Sequence, residues 1–377
     1  MDEFPFVRRS SYLDTASVGL MPKSVVNEVK ASYEDYERPH GSHHEKVKEC
    51  RREFAALINA DSREISFQPN SSTSFNLIVK MLDPGRGDNV VVDDLGFPST
   101  IFPLLALRKK GLDVRWVRNK GGLITSEDYV SVIDSNTKLV VVSSVSWING
   151  LRAEVAEIGK LAKENGSYYA IDGTQSTGYL ETDVEEWRAD FLVTSNYKWL
   201  LSPFGASEFY CSRRVMKEFE PPLLGWHSVF STQEDTTEDK YELLESAEKY
   251  EPGSLDCGSI FAFLKSLRFL KRLGVNRTGK KTVKLAKYLA DDLIKAGLKV
   301  LTPVEDDHIS GLVYACMEGV DGSKLMSSLK KQSIHVIGRD YHGYSGIRIS
   351  PYFYNSEQDV EKLVSAVKRI KQRNPST

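Results

Sequence analysis

The segments SYYAIDGTQSTG, residues 167–178, and FLVTSNYKW, residues 191–199, decide the fold class of this chain. Each begins with a short apolar run and continues into a polar turn, which is typical of a strand that ends at the edge of a buried sheet. Apolar residues at helical spacing over 153–164, ending at Asn165-Gly166, precede the first segment. Another apolar run, at 138–143, precedes that helix. This order of strand, helix and strand predicts a βαβ unit.

The same pattern extends on both sides and predicts an α/β protein with a mostly parallel sheet covered by helices on both faces. Its clearest strands are 89–92, 138–143, 168–171 and 191–193. After residues 250–254 the pattern changes to helices at 260–273, 279–296, 322–331 and 356–372, with strands at 298–301, 311–316 and 346–350. We therefore predict a large domain at 21–258, a smaller α+β domain at 259–377, and an N-terminal segment, 1–20, that packs with the small domain.

The composition favours a small-molecule ligand. The 377 residues are 41% hydrophobic, and 50 basic against 52 acidic residues give a net charge of -2, which is not the basic surface of a nucleic-acid or membrane binder. The charged opening segment and the absence of a run of about 18 apolar residues predict a cytoplasmic protein. The four cysteines form no CxxC pair, so we expect neither a metal site nor a disulfide framework.

Three polar turns follow predicted strands, where ligands of parallel α/β sheets bind. The first, QPNSSTSFN at 68–76, places hydroxyls at a helix N-terminus and predicts an anion site, although Ser71 or Ser72 as a simple N-cap is the alternative. The second carries Asp172, which either caps a turn or faces a ligand cation. The third carries Lys198, 26 positions after Asp172.

Together these turns resemble the class V aminotransferase family, which includes cysteine desulfurases, kynureninases and isopenicillin N epimerase-like proteins. The family's D-x-x-Q-S-x-G motif and its lysine correspond here to Asp172, Gln175 and Lys198. The resemblance extends from YLDTA at 12–16 to IRISP at 347–351. It implies a pyridoxal 5′-phosphate (PLP) enzyme of fold type I, with a mostly parallel sheet of the seven-stranded type.

The resemblance also implies how the cofactor is held. Lys198 is expected to form a Schiff base with PLP, and Asp172 to pair with the pyridine N–H and make the ring an electron sink. Gln175 is expected to hydrogen-bond the phenolic oxygen. The phosphate is expected to bind hydroxyls of Ser71, Ser72, Ser195 and Tyr197, of which Tyr197 replaces the family's usual histidine.

Further residues are implied around the ring and the substrate. Phe97 occupies the position of a stacked histidine in cysteine desulfurases, with core packing as its alternative. Arg348 is expected to bind the substrate α-carboxylate, with a structural tie between domains as its alternative. Ser254 resembles a residue that reaches the phosphate of the neighbouring subunit, which implies a homodimer with active sites at the interface. Trp147 replaces an asparagine of many relatives, and Asn149 is considered as a substitute for it.

The resemblance leaves the reaction open. Cysteine desulfurases need a cysteine on a loop before the carboxylate-binding arginine, and the corresponding segment, SIHVIGRDYHGYS at 333–345, has none. We therefore expect an amino-acid enzyme that works through an external aldimine, as a class V aminotransferase or an isopenicillin N epimerase-like protein. The alternatives are a Cβ-cleaving lyase or hydrolase of the kynureninase or desulfurase type, and a PLP-fold protein that only binds.

Overall fold

A seven-stranded sheet forms the centre of the protein. The computed structural model describes residues 2–37, 44–230, 237, 240–341 and 343–373. The strands of this sheet are β2 (Ile65–Gln68), β3 (Asn89–Asp93), β4 (Asp113–Val117), β5 (Thr137–Ser143), β6 (Tyr168–Asp172), β7 (Phe191–Val193) and β8 (Ser207–Cys211). Their order is β2-β8-β7-β6-β5-β3-β4, and only the β8 pairings, with β7 and β2, are antiparallel. The predicted α/β class and mostly parallel sheet are confirmed.

The sheet is covered on both faces. In β5, Val140 and Val142 belong to one hydrophobic cluster, whereas Leu139 and Val141 belong to another. Successive side chains of a strand point to opposite faces, so the two clusters lie on opposite sides of the sheet. A strand buried on both faces is a continuous apolar run, which makes β3 and β5 recognisable in the sequence.

Helices alternate with these strands along the chain. They are α1 (Lys23–Glu34), α2 (His44–Leu57), α3 (Ser71–Leu82), α4 (Pro98–Leu107), α5 (Glu127–Val130), α6 (Val155–Glu164) and α7 (Arg213–Glu218). Helix α6 is the helix predicted at 153–164. It is followed by Gly166 with φ of 73°, the left-handed conformation that commonly ends a helix.

The C-terminal region contains a second sheet. Its helices are α8 (Cys257–Leu273), α9 (Val275–Lys295), α10 (Gly322–Lys330) and α11 (Glu357–Arg373). The sheet has the order β12-β13-β10-β9, formed by β9 (Lys299–Val300), β10 (Val313–Cys316), β12 (Ile337–Tyr341) and β13 (Tyr344–Ile349). The segment 333–345 was expected as a loop, and this is wrong, because β12 forms a hairpin with β13. Two glycines, Gly338 and Gly346, interrupt the alternation that would otherwise indicate these strands.

The N-terminal segment packs against this second region. Strand β1 (Ser11–Tyr12) pairs in parallel with β11 (Ile334–His335), and Leu13 lies in the hydrophobic cluster beneath the second sheet. Helix α8, however, contributes Phe263 and Leu267 to the cluster of the large sheet. The domain boundary at 258/259 stays a prediction. No helix of the described residues is long and apolar enough to cross a membrane, and the cytoplasmic location stays a prediction.

Candidate active site

Lys198 lies inside the protein, in the turn that follows β7. Its residue is 7% exposed, and its Nζ is 5.4 Å from the ring centroid of Phe97 and 5.7 Å from that of Tyr197. Burial lowers the pKa of Lys198 to about 8, against the opposing effect of the Asp172 carboxylate. A fraction of this amine is therefore neutral near pH 7 and able to attack an aldehyde.

The backbone of the N-terminal segment fixes the Lys198 turn from one side. The Gly19 N–H donates to the Tyr197 carbonyl at 2.9 Å, and a Cβ added to Gly19 would lie 2.0 Å from the Lys198 carbonyl oxygen. On the other side, the Ser202 N–H donates to the Asn196 carbonyl at 3.0 Å. Sequence reasoning missed Gly19, because no local pattern relates this glycine to a turn almost 180 residues away.

Asp172 ends β6 beside the Lys198 turn, because the parallel register places Asp172 opposite Val193 of β7. Burial raises the pKa of the Asp172 carboxyl, while hydrogen bonds from Thr174 and the charge of Lys198 act in the opposite direction. The Thr174 N–H donates to Asp172 Oδ1 at 3.0 Å. Asp172 therefore caps its turn, as one interpretation predicted, and it is close enough to Lys198 to feel its charge; its pairing with a ligand cation stays a prediction.

Gln175 is oriented by two hydrogen bonds. Its Oε1 accepts from Trp199 Nε1 at 2.7 Å, and its Nε2 donates to the Ala16 carbonyl at 3.0 Å. One Nε2 hydrogen is left over from these two bonds and can donate to a ligand. Trp199 and the N-terminal segment therefore hold the amide that was predicted to contact the cofactor.

The segment predicted to bind an anion lies where the N-termini of two helices meet. Asn70 is the N-cap of α3, since its Oδ1 accepts from the Thr73 N–H at 2.9 Å. The alternative that Ser71 or Ser72 is only an N-cap is therefore wrong. The Ser72 hydroxyl is 2.7 Å from the hydroxyl of Ser99 in the first turn of α4. The positive ends of α3 and α4 thus meet at one place, which favours binding of an anion.

Ser195 and Tyr197 border the same turn as Lys198. Ser195 is buried, and its side chain hydrogen-bonds the Tyr197 side chain. Burial raises the pKa of Tyr197, so its hydroxyl is protonated at neutral pH and can donate. The Tyr197 ring stacks on Phe204, with 4.2 Å between centroids.

Arg348 lies on the face of β13 that is directed away from the core of the second region. Ile347 and Ile349 lie in that core, as the predicted alternation requires. Arg348 Nη1 donates to the Trp147 carbonyl at 2.8 Å, and Nη2 donates to Ser17 Oγ at 2.5 Å. The guanidinium thus ties three parts of the chain together, which supports the structural alternative considered for it.

Arg348 also keeps unused binding capacity. Its Nε is buried and has no hydrogen-bond partner among the described residues. Asp14 Oδ1 forms an ion pair with Arg348 Nη2 at 3.5 Å, so the Asp14 carboxylate already balances part of the charge of Arg348. Burial lowers the pKa of Arg348 to about 10, so it remains charged at neutral pH. Arg348 can therefore both connect parts of the chain and bind the carboxylate of a ligand.

Phe97 lies between Lys198 and Trp147. The Phe97 and Trp147 rings meet edge to face at 5.4 Å, and Trp147 Nε1 donates to the Gly96 carbonyl at 3.2 Å. Many relatives have an asparagine at the position of Trp147, and Asn149 does not substitute for that asparagine. Its Nδ2 donates to the Gly122 carbonyl at 2.7 Å, and the residue is fully buried.

Ser254 is placed differently from the other predicted residues. It is exposed and borders a surface pocket with Arg51, Trp226 and Glu251, whose lining includes none of the residues around Lys198. Within one chain the structure does not bring Ser254 to the Lys198 turn. Its predicted role across a dimer interface stays a prediction.

A family model for class-V aminotransferases matches residues 11–363. The chain belongs to the class-V aminotransferase family. It is 33% identical over 296 residues to a probable cysteine desulfurase of Methanothermobacter thermautotrophicus, covering 76% of this chain and 73% of that protein. It is 25% identical to a kynureninase of Bacillus anthracis, with coverage of 95% and 88%.

The fold of this class-V chain is also found in a solved cysteine desulfurase. The apo structure of the enzyme from Thermococcus onnurineus NA1 superimposes with a TM-score of 0.89 at 27% identity, covering 98% of this chain and 96% of that one. Family membership confirms PLP as the cofactor. The residues present fit it: a buried amine with a lowered pKa suits the aldehyde, a buried carboxylate suits the ring nitrogen, and two helix N-termini suit the phosphate.

Proposed function

We propose that this class-V protein is a PLP-dependent lyase that breaks the bond between Cβ and a sulfur atom of an amino acid. The relatives named cysteine desulfurase support cleavage at Cβ, and the kynureninase relative is another Cβ-cleaving enzyme. Aminotransferase or epimerase activity, which was the first expectation from the sequence, receives less support from these comparisons than the Cβ-cleaving alternative.

Each residue around Lys198 has a role in this proposal. Lys198 would hold the cofactor, Asp172 its ring nitrogen and Gln175 its phenolic oxygen, and Phe97 would cover the ring face. Hydroxyls of four residues would bind the phosphate: Ser71, Ser72, Ser195 and Tyr197. When bound, the cofactor supplies an electron sink for negative charge at the substrate Cα.

Arg348 is the proposed site for the substrate α-carboxylate. Its buried Nε has no hydrogen-bond partner among the described residues, and the bonds from Nη1 to Trp147 and from Nη2 to Ser17 hold the guanidinium in place. A planar guanidinium binds a carboxylate through two parallel hydrogen bonds. The contacts that suggest a structural role therefore also preorganise the group for binding.

Lys198 can move the proton that the reaction requires. With its pKa near 8, the amine can accept the Cα proton and return it. Loss of that proton provides the electron pair for a double bond between Cα and Cβ, and the Cβ–S pair leaves with sulfur. Addition of water to the released product gives a 2-oxo acid and ammonia, so atoms and electrons balance without an external oxidant.

The positions of the cysteines are the reason for proposing direct elimination of sulfur over its transfer to a cysteine of the protein. None of the four belongs to the segment 333–345: Cys50 lies in α2, Cys211 in β8, Cys257 at the start of α8, and Cys316 in β10, which pairs with β13. Burial raises the pKa of Cys316, which makes its thiol a poor nucleophile. We therefore propose that sulfur leaves as a small molecule and is not transferred to a cysteine of the protein.

Product analysis tests this proposal. The purified holoprotein, supplied with L-cystine or L-cysteine, is expected to form pyruvate and ammonia together with a sulfur-containing product. Lys198→Ala should abolish product formation, and Cys316→Ser should retain it. The cofactor should be found on Lys198 by borohydride reduction and peptide mapping.

Other outcomes would contradict it. Product formation that requires a 2-oxo acid acceptor would favour an aminotransferase, and loss of optical activity without pyruvate would favour an epimerase. Loss of activity in Cys316→Ser, with sulfur bound to that cysteine in the wild-type protein, would show transfer to the protein. Release of alanine from L-kynurenine, with no reaction of either sulfur amino acid, would favour a kynureninase.

A further inference from the structure

A second arginine lies on the same face of the hairpin as Arg348. In the antiparallel register of β12 and β13, Ile337 is opposite Arg348, and Arg339 is opposite Gly346. Residues that are directly opposite each other project to one side of a sheet, as do residues two apart on a strand. Arg339 and Arg348 are therefore diagonal neighbours on one face.

Arg339 also belongs to the surroundings of Lys198. Its guanidinium carbon is 5.9 Å from the ring centroid of Trp147, whose ring meets Phe97. The positive charge of Arg339 is close enough to contribute to the lowered pKa values of both Lys198 and Arg348. Trp147 thus connects both arginines to the site, through its ring to Arg339 and through its carbonyl to Arg348.

Among the residues that the structure describes, the guanidinium of Arg339 has no anionic partner. Its Nε is buried without a hydrogen-bond partner, and no carboxylate of the described residues lies within 4.0 Å of it. Asp14 feels the charge of Arg339 but is nearer to Arg348, at 3.5 Å. A buried N–H without an acceptor is unfavourable, so an anionic ligand would satisfy a group that the protein leaves open.

The backbone that carries Arg339 is fixed. The Tyr314 hydroxyl donates to the Arg339 carbonyl at 2.8 Å and contacts the Tyr344 carbonyl at 3.2 Å, which joins both strands of the hairpin to β10. Asn119, in the large-sheet region, donates to the Tyr341 hydroxyl at 3.2 Å. These bonds fix the position of the hairpin beside the candidate active site, and they therefore limit the positions that the Arg339 guanidinium can take.

We infer that Arg339 binds a second carboxylate, at the end of the substrate that lies beyond the scissile bond. Two arginines on one face suit two carboxylates of one molecule, Arg348 the α-carboxylate and Arg339 the distal one. This inference rests on the proposed function and deepens it: the substrate class is amino acids whose sulfur-linked side chain ends in a second carboxylate. Arg339 would then determine specificity and would not take part in proton transfer.

A binding experiment tests the inference without any reaction. L-2-aminoadipate and L-norleucine have side chains of similar length but differ in the terminal carboxylate, and neither has a leaving group at Cβ. Titration of the holoprotein, followed by the cofactor absorbance, is expected to show that L-2-aminoadipate binds at least about tenfold more tightly, the scale of a partly buried guanidinium–carboxylate pair. Equal affinities in the wild-type protein would overturn the inference, whatever the variants do.

Variants assign the effect to Arg339. Arg339→Gln is expected to weaken L-2-aminoadipate to the affinity of L-norleucine and to leave L-norleucine unchanged, whereas Arg339→Lys should keep part of the difference. Lys331→Gln removes an exposed charge near the same hairpin and is the matched control. If Arg339→Gln weakened both ligands equally, Arg339 would be a structural residue and the inference would be wrong.

A turnover experiment separates this inference from the proposed function. L-cystine and the mixed disulfide of L-cysteine with cysteamine have the same Cβ–S bond, but only L-cystine carries the distal carboxylate. Preference for L-cystine that is lost in Arg339→Gln supports both proposals. If L-2-aminoadipate is preferred but neither disulfide is cleaved, the cleavage proposal fails and the diacid site stands. If both are cleaved equally and no binding preference exists, only the diacid site fails.

Discussion

At the scale of single residues, burial sets the chemistry of Lys198. Removal from water disfavours the charged ammonium and is the largest influence on its pKa, while the carboxylate of Asp172 partly compensates. Arg348 and Arg339 add to the effect of burial because like charges repel. The pKa of the Lys198 amine, about 8, is therefore close to neutral pH, where the amine can both accept and donate a proton.

The pH dependence of cofactor uptake follows from this balance. Covalent attachment requires the neutral amine, so its rate in the apoprotein should rise with pH and level off above about pH 8, where the lowered pKa of Lys198 lies. The rate is measured by stopped-flow absorbance, with Nα-acetyl-lysine as the reference that cancels titration of PLP itself. Because Asp172 raises the pKa of Lys198, Asp172→Asn should move the inflection to lower pH. An inflection near 10.5, the ordinary lysine value, would contradict the buried amine.

At the scale of elements, the site depends on contact between the N-terminal segment and the turn after β7. Both halves of this contact are backbone: the Gly19 N–H reaches the Tyr197 carbonyl, and the Gly19 Cα faces the Lys198 carbonyl. A side chain at position 19 would occupy the space of that carbonyl. Position 19 requires glycine because the Lys198 carbonyl approaches its Cα closely, and not because its φ is positive.

Gly19→Ala is expected to disturb the Lys198 turn. The added methyl group would displace backbone, which cannot rotate away, and overpacking of this kind costs about 1–3 kcal/mol in stability. The variant should unfold at a lower temperature and lose PLP more readily on dialysis. Gly85→Ala is the matched control, because an added Cβ there meets nothing within 4 Å. Equal behaviour of the two variants would show that the N-terminal segment does not fix the turn.

At the scale of the whole molecule, the segment 223–230 exposes several large apolar side chains. Trp226 and Phe230 are 70% and 79% exposed, and Leu223 and Leu224 lie in the same segment. Large apolar side chains that cluster on a surface are typical of a binding interface. Trp226 and Ser254 border the same pocket, so the residue predicted to act across subunits lies next to this surface.

We therefore expect a homodimer whose active sites are completed by Ser254 of the second subunit. Light scattering should give twice the mass of the chain, and Trp226→Asp should shift the protein towards the monomer. Mixing inactive Lys198→Ala chains with inactive Ser254→Glu chains should restore activity, because one site of the mixed dimer has both native residues. A monomer with full cofactor occupancy, or no recovery on mixing, would contradict the prediction.

The sequence by itself determined the α/β class, the cofactor and the family. The α/β class depends on local patterns, since β3, β5, β6 and β7 are short apolar runs followed by polar turns, whereas the cofactor and the family follow from the resemblance of the motif around Asp172 and Lys198. These two residues come together because parallel neighbouring strands end at the same edge. A buried strand must be apolar along its length, so its signal is present in the residues themselves.

Only the tertiary structure decided which side chains surround Lys198 and how they are held. Gly19 contacts the Lys198 turn, Ala16 orients Gln175, and Trp147 connects Arg339 to Phe97. Strand β12 was missed because its pairing with β13, and not its own composition, makes it a strand. These contacts join residues that are far apart in the chain. Their geometry depends on packing and on unpaired hydrogen-bonding groups, which no local sequence pattern can predict.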